Sequence, residues 1–106
     1  MKDVSDSFQC FLKEAPAQSV AWMEAVKKLS GASALDRKTQ ALAYIAILSA
    51  VGLVSGMAFH VKEAKMLGAS RDEIISAVLL PLPAVGNKCV AALPAALEAF
   101  DEQKEV

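Results

Sequence analysis

The chain has 106 residues, with eleven basic and twelve acidic side chains mixed along it, so it has no basic surface of the kind that binds nucleic acid or anionic lipid. Its hydrophobic content of 55% and mean hydropathy of +0.38 are high for a small protein whose whole surface must meet water. A chain of this length has room for one core, so we expect a single domain over residues 1–106 that associates with copies of itself.

The two cysteines, Cys10 and Cys89, stand far apart in the sequence and belong to no Cys-x-x-Cys or Cys/His ligand pattern. We therefore expect reduced thiols in a cytoplasmic protein, with no metal and no cofactor. The first sixteen residues carry acidic side chains and no long apolar run, so we expect no secretory signal.

Two helices are predicted before residue 33. Apolar positions recur with the period of a helix face from Val4 to Leu12, and this pattern stops before Pro16. Pro16 suits the first turn of a second helix, where its missing N–H costs nothing. The apolar stripe of that helix ends near Gly31 and consists of Trp22, Val26 and Leu29.

The longest apolar run of the chain covers residues 41–59, nineteen residues without a charge. As a helix it would be roughly 29 Å long, enough to cross a bilayer or to pass through the middle of a helical assembly. Its many alanine and glycine residues, and the short amphipathic helices around it, favour a buried helix and no membrane. We expect this helix to open at a capping box formed by Ser33 and Asp36, and to bend near Gly52.

The rest of the chain also predicts helices. Gly68 suits the position just after a helix end, and Ser70 with Glu73 forms a second capping box. The prolines at 81 and 83 should turn the chain, and residues 89–100 predict a last helix with Pro94 early in it, followed by a polar tail from Glu102 to Val106. No segment alternates as a strand does, so we expect an all-α fold.

His60, the only histidine, ends the apolar run. On a continuous helix, Ser49, Gly52, Gly56 and His60 share nearly one face. One interpretation is close packing of two helices at the glycines. The other is a pocket for a small ligand, lined by Ser49, Gly52, Leu53 and Gly56, with His60 as its acid/base residue. None of the neighbouring hydroxyl groups stands at a spacing that predicts a Ser/His hydrolase.

Three segments carry a family resemblance: residues 35–39 (LDRKT), residues 60–64 (HVKEA) and residues 67–75 (LGASRDEII). In this order around a long apolar helix, they resemble the carboxymuconolactone decarboxylase and alkylhydroperoxidase D-like superfamily over roughly residues 8–101. The resemblance implies an alkylhydroperoxidase D-like fold of about six helices, a homo-oligomer (trimer or hexamer), and a catalytic role for His60.

The resemblance also bears on the chemistry. The redox branch of the superfamily has two cysteines before its histidine, at the places where this chain has Leu53 and Gly56, and its relay glutamate falls at Ala41. Without those thiols the family route to peroxide reduction is closed. The decarboxylase branch keeps the histidine without the thiol pair, so it is the better analogue.

The sequence leaves three possible functions. The first is a decarboxylase-like lyase acting on a small organic acid or lactone, with His60 as proton carrier. The second is a non-catalytic oligomer that binds a ligand or a partner, and the third is a thiol peroxidase. A lyase of this type also needs donors for the substrate carboxylate. The candidates are Arg37, Lys38, Arg71 and Lys88.

Overall fold

The computed structural model describes residues 3–102, and all regular secondary structure in this range is helical. Six of the seven α-helices are longer than a single turn, which confirms the predicted all-α class of about six helices. The helices are α1 Asp6–Glu14, α2 Pro16–Ala32, α3 Arg37–Val51, α4 Met57–Met66, α5 Arg71–Leu79, α6 Leu82–Val85 and α7 Leu93–Asp101. Short 3₁₀ turns cover Val54–Gly56, Gly86–Lys88 and Val90–Ala92.

The core lies among α3, α4, α5 and α7. Helix α4 packs along α7, α3 packs against both α4 and α5, and α5 also contacts α7. Ile45, Met57, Val61, Ile74 and Val78 are fully buried between these helices. Helices α1 and α2 pack mainly on each other, outside this group of four.

The predicted helix starts are partly confirmed. Pro16 stands in the first turn of α2, and the capping box of Ser70 and Glu73 opens α5 with both of its hydrogen bonds formed. The predicted box of Ser33 and Asp36 is wrong. Asp36 alone caps α3, where its carboxylate accepts the N–H of Thr39 at 2.8 Å, whereas Ser33 ends α2.

The expectation of one helix through residues 41–59 is also wrong. Helix α3 ends at Val51 because Gly52 takes a left-handed conformation, with φ of +80°. After Leu53 and the 3₁₀ turn, the chain starts again as α4 and folds back against α3. The expected bend near Gly52 is therefore a complete break.

Within residues 3–102 no single helix has the length and apolar character needed to cross a bilayer. Two helical segments, residues 71–88 and 90–101, are long and apolar enough only when they are counted together. The chain bends by 119° between them.

The predicted last helix begins later than expected. A 3₁₀ turn precedes it, and α7 starts at Leu93 with Pro94 in its first turn. Of the predicted tail, residues 103–106 lie outside the described part of the chain.

Candidate functional site

His60 lies on α4 with its ring against α3. The centroid of its imidazole is 4.3 Å from that of the Tyr44 ring, and 5.2 Å from that of Phe59, whose ring meets it edge-on. Tyr44 projects from α3, so the contact exists only because α4 folds back on α3 after the break at Gly52. The imidazole therefore contacts two aromatic rings.

The environment of His60 changes its acidity. The residue is half-buried, and this burial lowers its pKa below the ordinary value of 6.5, while the Glu63 carboxylate opposes the shift. At neutral pH the imidazole is therefore mainly uncharged. Among residues 3–102, neither of its ring nitrogens has a hydrogen-bond partner, so both remain available to a ligand.

Ser49 faces the protein core and is fully buried. Its hydroxyl lies 2.9 Å from the carbonyl oxygen of Ala46, one turn earlier, and 2.9 Å from that of Val78 at the end of α5. The hydroxyl has one hydrogen to share between these two acceptors. It joins α3 to α5, and the continuous face that would have aligned it with His60 is not formed.

The other three residues predicted to line a pocket lie in the connection from α3 to α4. Gly52 follows the end of α3, Leu53 is exposed, and Gly56 closes the 3₁₀ turn just before α4. A Cβ atom at Gly56 would meet no atom within 4 Å, so nothing in the described chain fills the space beside it. A lining role for these three residues stays a prediction.

The four candidate cations differ in what they contact. Arg71 donates two hydrogen bonds to Asp101, and Lys38 pairs with Glu73, so both are already engaged. Within residues 3–102, Arg37 and Lys88 form no ion pair. The Lys88 side chain passes over the end of α3, where its Cε lies 3.2 Å from the point that a Cβ at Gly52 would occupy.

The thiols stand apart from each other. Cys10 is exposed on α1, whereas Cys89 is fully buried, and both are free. The Cys89 thiol lies 3.5 Å from the carbonyl oxygen of Gly86. In the described part of the chain, no three side chains of His, Cys, Asp or Glu come together as a metal site requires.

Two surface grooves of the described chain are lined by residues other than His60. One, of about 440 Å³, runs between α3 and α5 and is lined by Thr39, Leu42, Ala43, Asp72, Glu73, Ser76, Ala77 and Leu80. The other, of about 270 Å³, lies between α1 and α2. Neither of these two grooves is lined by His60.

Tyr44 is the residue of this site that sequence reasoning did not assign. It stands sixteen residues before His60, a spacing that would separate the two widely along one helix. The sequence signal that could have indicated this contact is Gly52, because a glycine in an apolar helix is a candidate helix end.

Comparison with known proteins supports the resemblance of the sequence motifs. The model of the carboxymuconolactone decarboxylase family matches residues 14–99, most of the chain, which covers α2 through α6 and most of α7. Searches of curated proteins and of solved structures gave no match. The matched range covers the core helices and His60, and the chain belongs to the carboxymuconolactone decarboxylase family.

Proposed function

We propose that this protein is a decarboxylase-like lyase that acts on a small organic acid or lactone, with His60 carrying the proton. The observation that carries the proposal is the half-buried imidazole in contact with Tyr44 and Phe59, whose nitrogens have no hydrogen-bond partner among residues 3–102. Two aromatic rings suit a small unsaturated substrate, and an unpaired imidazole suits proton transfer.

The reaction would balance as follows. The bond between the substrate carbon and its carboxylate breaks, carbon dioxide leaves, and the electron pair remains on the carbon as a dienolate conjugated with the lactone carbonyl. The imidazolium of His60 then transfers its proton to that carbon, and the neutral imidazole takes up a proton from water. A lowered pKa makes the imidazolium a stronger acid, although a smaller fraction of the protein carries the proton at neutral pH.

The developing negative charge also needs donors. The Tyr44 hydroxyl belongs to the ring that contacts His60, so it is our first candidate for the dienolate oxygen. Lys88, which has no ion pair among the described residues, is our candidate for the substrate carboxylate. Arg71 and Lys38 are weaker candidates because binding substrate would cost them their contacts with Asp101 and Glu73.

The alternative is a non-catalytic homo-oligomer that binds a ligand or a partner. It is favoured by one observation, that neither the groove between α3 and α5 nor the groove between α1 and α2 is lined by His60. We expect a cytoplasmic location in either case. Leu53 and Gly56, at the places of the redox cysteines, make the thiol peroxidase the weakest of the three functions.

The test uses the carboxylated lactone after which the family is named, with carbon dioxide release and deuterium uptake from heavy water as the two readouts. We expect His60→Gln to abolish both, while Met66→Ala, at an exposed position of the same helix, retains them. The His60 imidazole resonance, followed as the lactone is added, reports binding. A shifted resonance without turnover would favour the binding protein, and an unchanged resonance without turnover would exclude this substrate class.

A further inference from the structure

Helix α2 is nearly unburied. It is the longest helix, with seventeen residues, and only Ser19 among them is buried. Its large apolar side chains are exposed, including Trp22 at 55% and Leu29 at 69%, and the others are Val20, Met23 and Val26. A helix of this length is marginal in water by itself, and contiguous apolar surface of this kind marks an interaction site.

A second exposed apolar surface lies beside His60. Ala43, Ile47 and Val51 stand on successive turns of α3 and, with Tyr44, form what we call the outer face of α3. Ile47 is 57% exposed, and no charged residue occurs on α3 after Lys38. The imidazole of His60 borders this face through its contact with Tyr44, and Phe59 contacts that imidazole in turn.

We infer that α2 of a second copy of this chain packs on the outer face of α3 and closes the His60 site. The exchange is reciprocal around a two-fold axis, so each copy supplies one α2 and one outer face. This contact makes the His60 site of each copy incomplete without the other copy. That consequence for the chemistry rests on the proposed function.

The area available matches what a stable interface needs. Helix α2 is roughly 25 Å long and about 10 Å wide, so half of its side covers about 400 Å². Two reciprocal contacts bury roughly 800 Å² on each copy, the size of a specific interface. The chain exposes 7231 Å², whereas a compact protein of its mass exposes about 5,700 Å².

Three charged residues beside the two surfaces are complementary in sign. Lys27 and Lys28 near the end of α2 form no ion pair among residues 3–102. Asp72, equally unpaired within that range, lines the groove that Ala43 shares with the outer face. An apolar contact with basic residues on one partner and an acidic residue beside the other is electrostatically complementary.

The connection between α2 and α3 favours a partner copy over the same chain. Gln40 on α3 donates a hydrogen bond to the carbonyl oxygen of Leu35 at 2.9 Å, and the Leu35 N–H donates to the Ser33 hydroxyl at 3.1 Å. These bonds hold the short connection in a conformation in which α2 packs mainly on α1. The outer face of the same chain is therefore left to a second copy.

The first experiment uses the unmodified protein, which has one tryptophan and one histidine. Mass is measured by sedimentation over a range of concentrations, together with Trp22 fluorescence and the His60 imidazole resonance. We expect dilution from dimer or higher multiples to monomer to shift the Trp22 emission to the red and the His60 pKa toward 6.5. A monomer at every concentration would overturn the inference, as would dissociation that leaves both signals unchanged.

The second experiment uses charge substitutions on the two surfaces. We expect Leu29→Glu on α2 and Ile47→Glu on the outer face each to weaken association by roughly 30-fold or more, the effect of a hot-spot residue. Met66→Glu is the matched control, since Met66 is a large apolar residue, 81% exposed, on α4. Circular dichroism checks folding, and Leu29→Ser and Ile47→Ser replace any variant that loses helicity. An equal effect of Met66→Glu would contradict the inference.

Mixing the two surface variants tests which surfaces meet. A pair made of Leu29→Glu and Ile47→Glu chains retains one contact with no substitution, so we expect the mixture to associate more tightly than either variant alone. With isotope-labelled histidine in the Leu29→Glu chain only, its His60 resonance should respond to mixing, because that chain keeps the outer face intact. A response only from label in the Ile47→Glu chain would overturn the arrangement.

These outcomes separate the assembly from the chemistry. Association as described without turnover of the lactone would remove the proposed function and leave the contact of α2 with the outer face. Turnover retained at full rate by monomeric Leu29→Glu would show that the site is complete in one chain, and the inference would be wrong while the proposed function stood. Association only in detergent or on lipid vesicles would also overturn it.

Discussion

The ring of Tyr44 lies against the imidazole of His60, with the two centroids 4.3 Å apart and the two planes inclined by 40°. Tyr44 belongs to α3 and His60 to α4, so this contact spans the break in the apolar segment. It places an aromatic ring against the imidazole, and burial of this imidazole lowers the pKa of His60.

Removing the tyrosine ring should therefore raise the pKa of His60. We expect Tyr44→Ala to shift the midpoint of the His60 NMR titration toward 6.5, because water regains access to the imidazole. Tyr44→Phe retains the ring and is the matched control for its covering effect. Equal pKa values in Tyr44→Ala and the unmodified protein would show that other groups cause the shift.

The lowered pKa of His60 also predicts how stability depends on pH. The folded state favours the neutral imidazole, so its contribution is fully present above the unfolded pKa of about 6.5 and is lost as the pH falls through the lower folded pKa. We expect the free energy of unfolding of His60→Gln, measured in denaturant, to lose this component of the pH dependence. Glu63→Gln should lower the pKa of His60 further, because the Glu63 carboxylate raises it.

Gly52 and Gly56 should respond oppositely to alanine. Gly52 has φ of +80°, and a Cβ there would come within 3.2 Å of Lys88 Cε, so we expect Gly52→Ala to cost about 1–2 kcal/mol. Gly56 has φ of −91° and open space around it, so Gly56→Ala should stabilise the protein by about 0.4–1 kcal/mol. Thermal or denaturant unfolding of both variants measures the difference.

A comparison of substitutions at Gly56 and His60 distinguishes a packing role from a catalytic role. Since nothing stands within 4 Å of its Cβ position, Gly56→Leu should disturb the single chain little and should weaken association if a second copy covers this site. His60→Ala adds no bulk, so it should abolish any chemistry and preserve the oligomer better than Gly56→Leu does. Sedimentation of the two variants, with their helicity as control, makes the comparison. Dissociation of His60→Ala to the same extent would identify the histidine as a structural residue.

The thiols are expected to be dispensable for chemistry. Cys10→Ser changes an exposed position and should alter stability by less than about 0.5 kcal/mol. Cys89→Ser places a hydroxyl in the core, next to the Gly86 carbonyl that now accepts from the thiol, and should cost about 1–2 kcal/mol. The protein with both substitutions should keep its His60 titration. Reduction of alkyl hydroperoxides by the unmodified protein with a dithiol donor, at an enzymatic rate, would contradict our reading of Leu53 and Gly56.

Local sequence signals predicted several features correctly because they act within a few residues. The capping box of Ser70 and Glu73 needs only one helical turn, and so does Pro16 in the first turn of α2. Gly68, with φ of +97°, stands just after α4 as predicted. The family resemblance rests on the residues around His60 and Arg71, and the family model confirms it over residues 14–99.

The long apolar segment shows why the rest was not predictable. Hydrophobicity and length describe residues 41–59 as one buried helix, but a single left-handed residue, Gly52, ends α3. A glycine can continue a helix or end it at similar local cost, so the choice depends on what the two halves pack against. Here the break lets α3 pack on α4 and α5 while α4 packs on α7.

The sequence by itself determined the helical class, the starts of α2 and α5, and the family, because periodicity, caps and motifs are properties of neighbouring residues. Only the tertiary structure decided that Ser49 faces the core, that Tyr44 meets His60, and that α2 stands outside the four-helix core. Each of these depends on how helices distant in sequence pack together, and the contact of Tyr44 with His60 forms only because α4 folds back on α3.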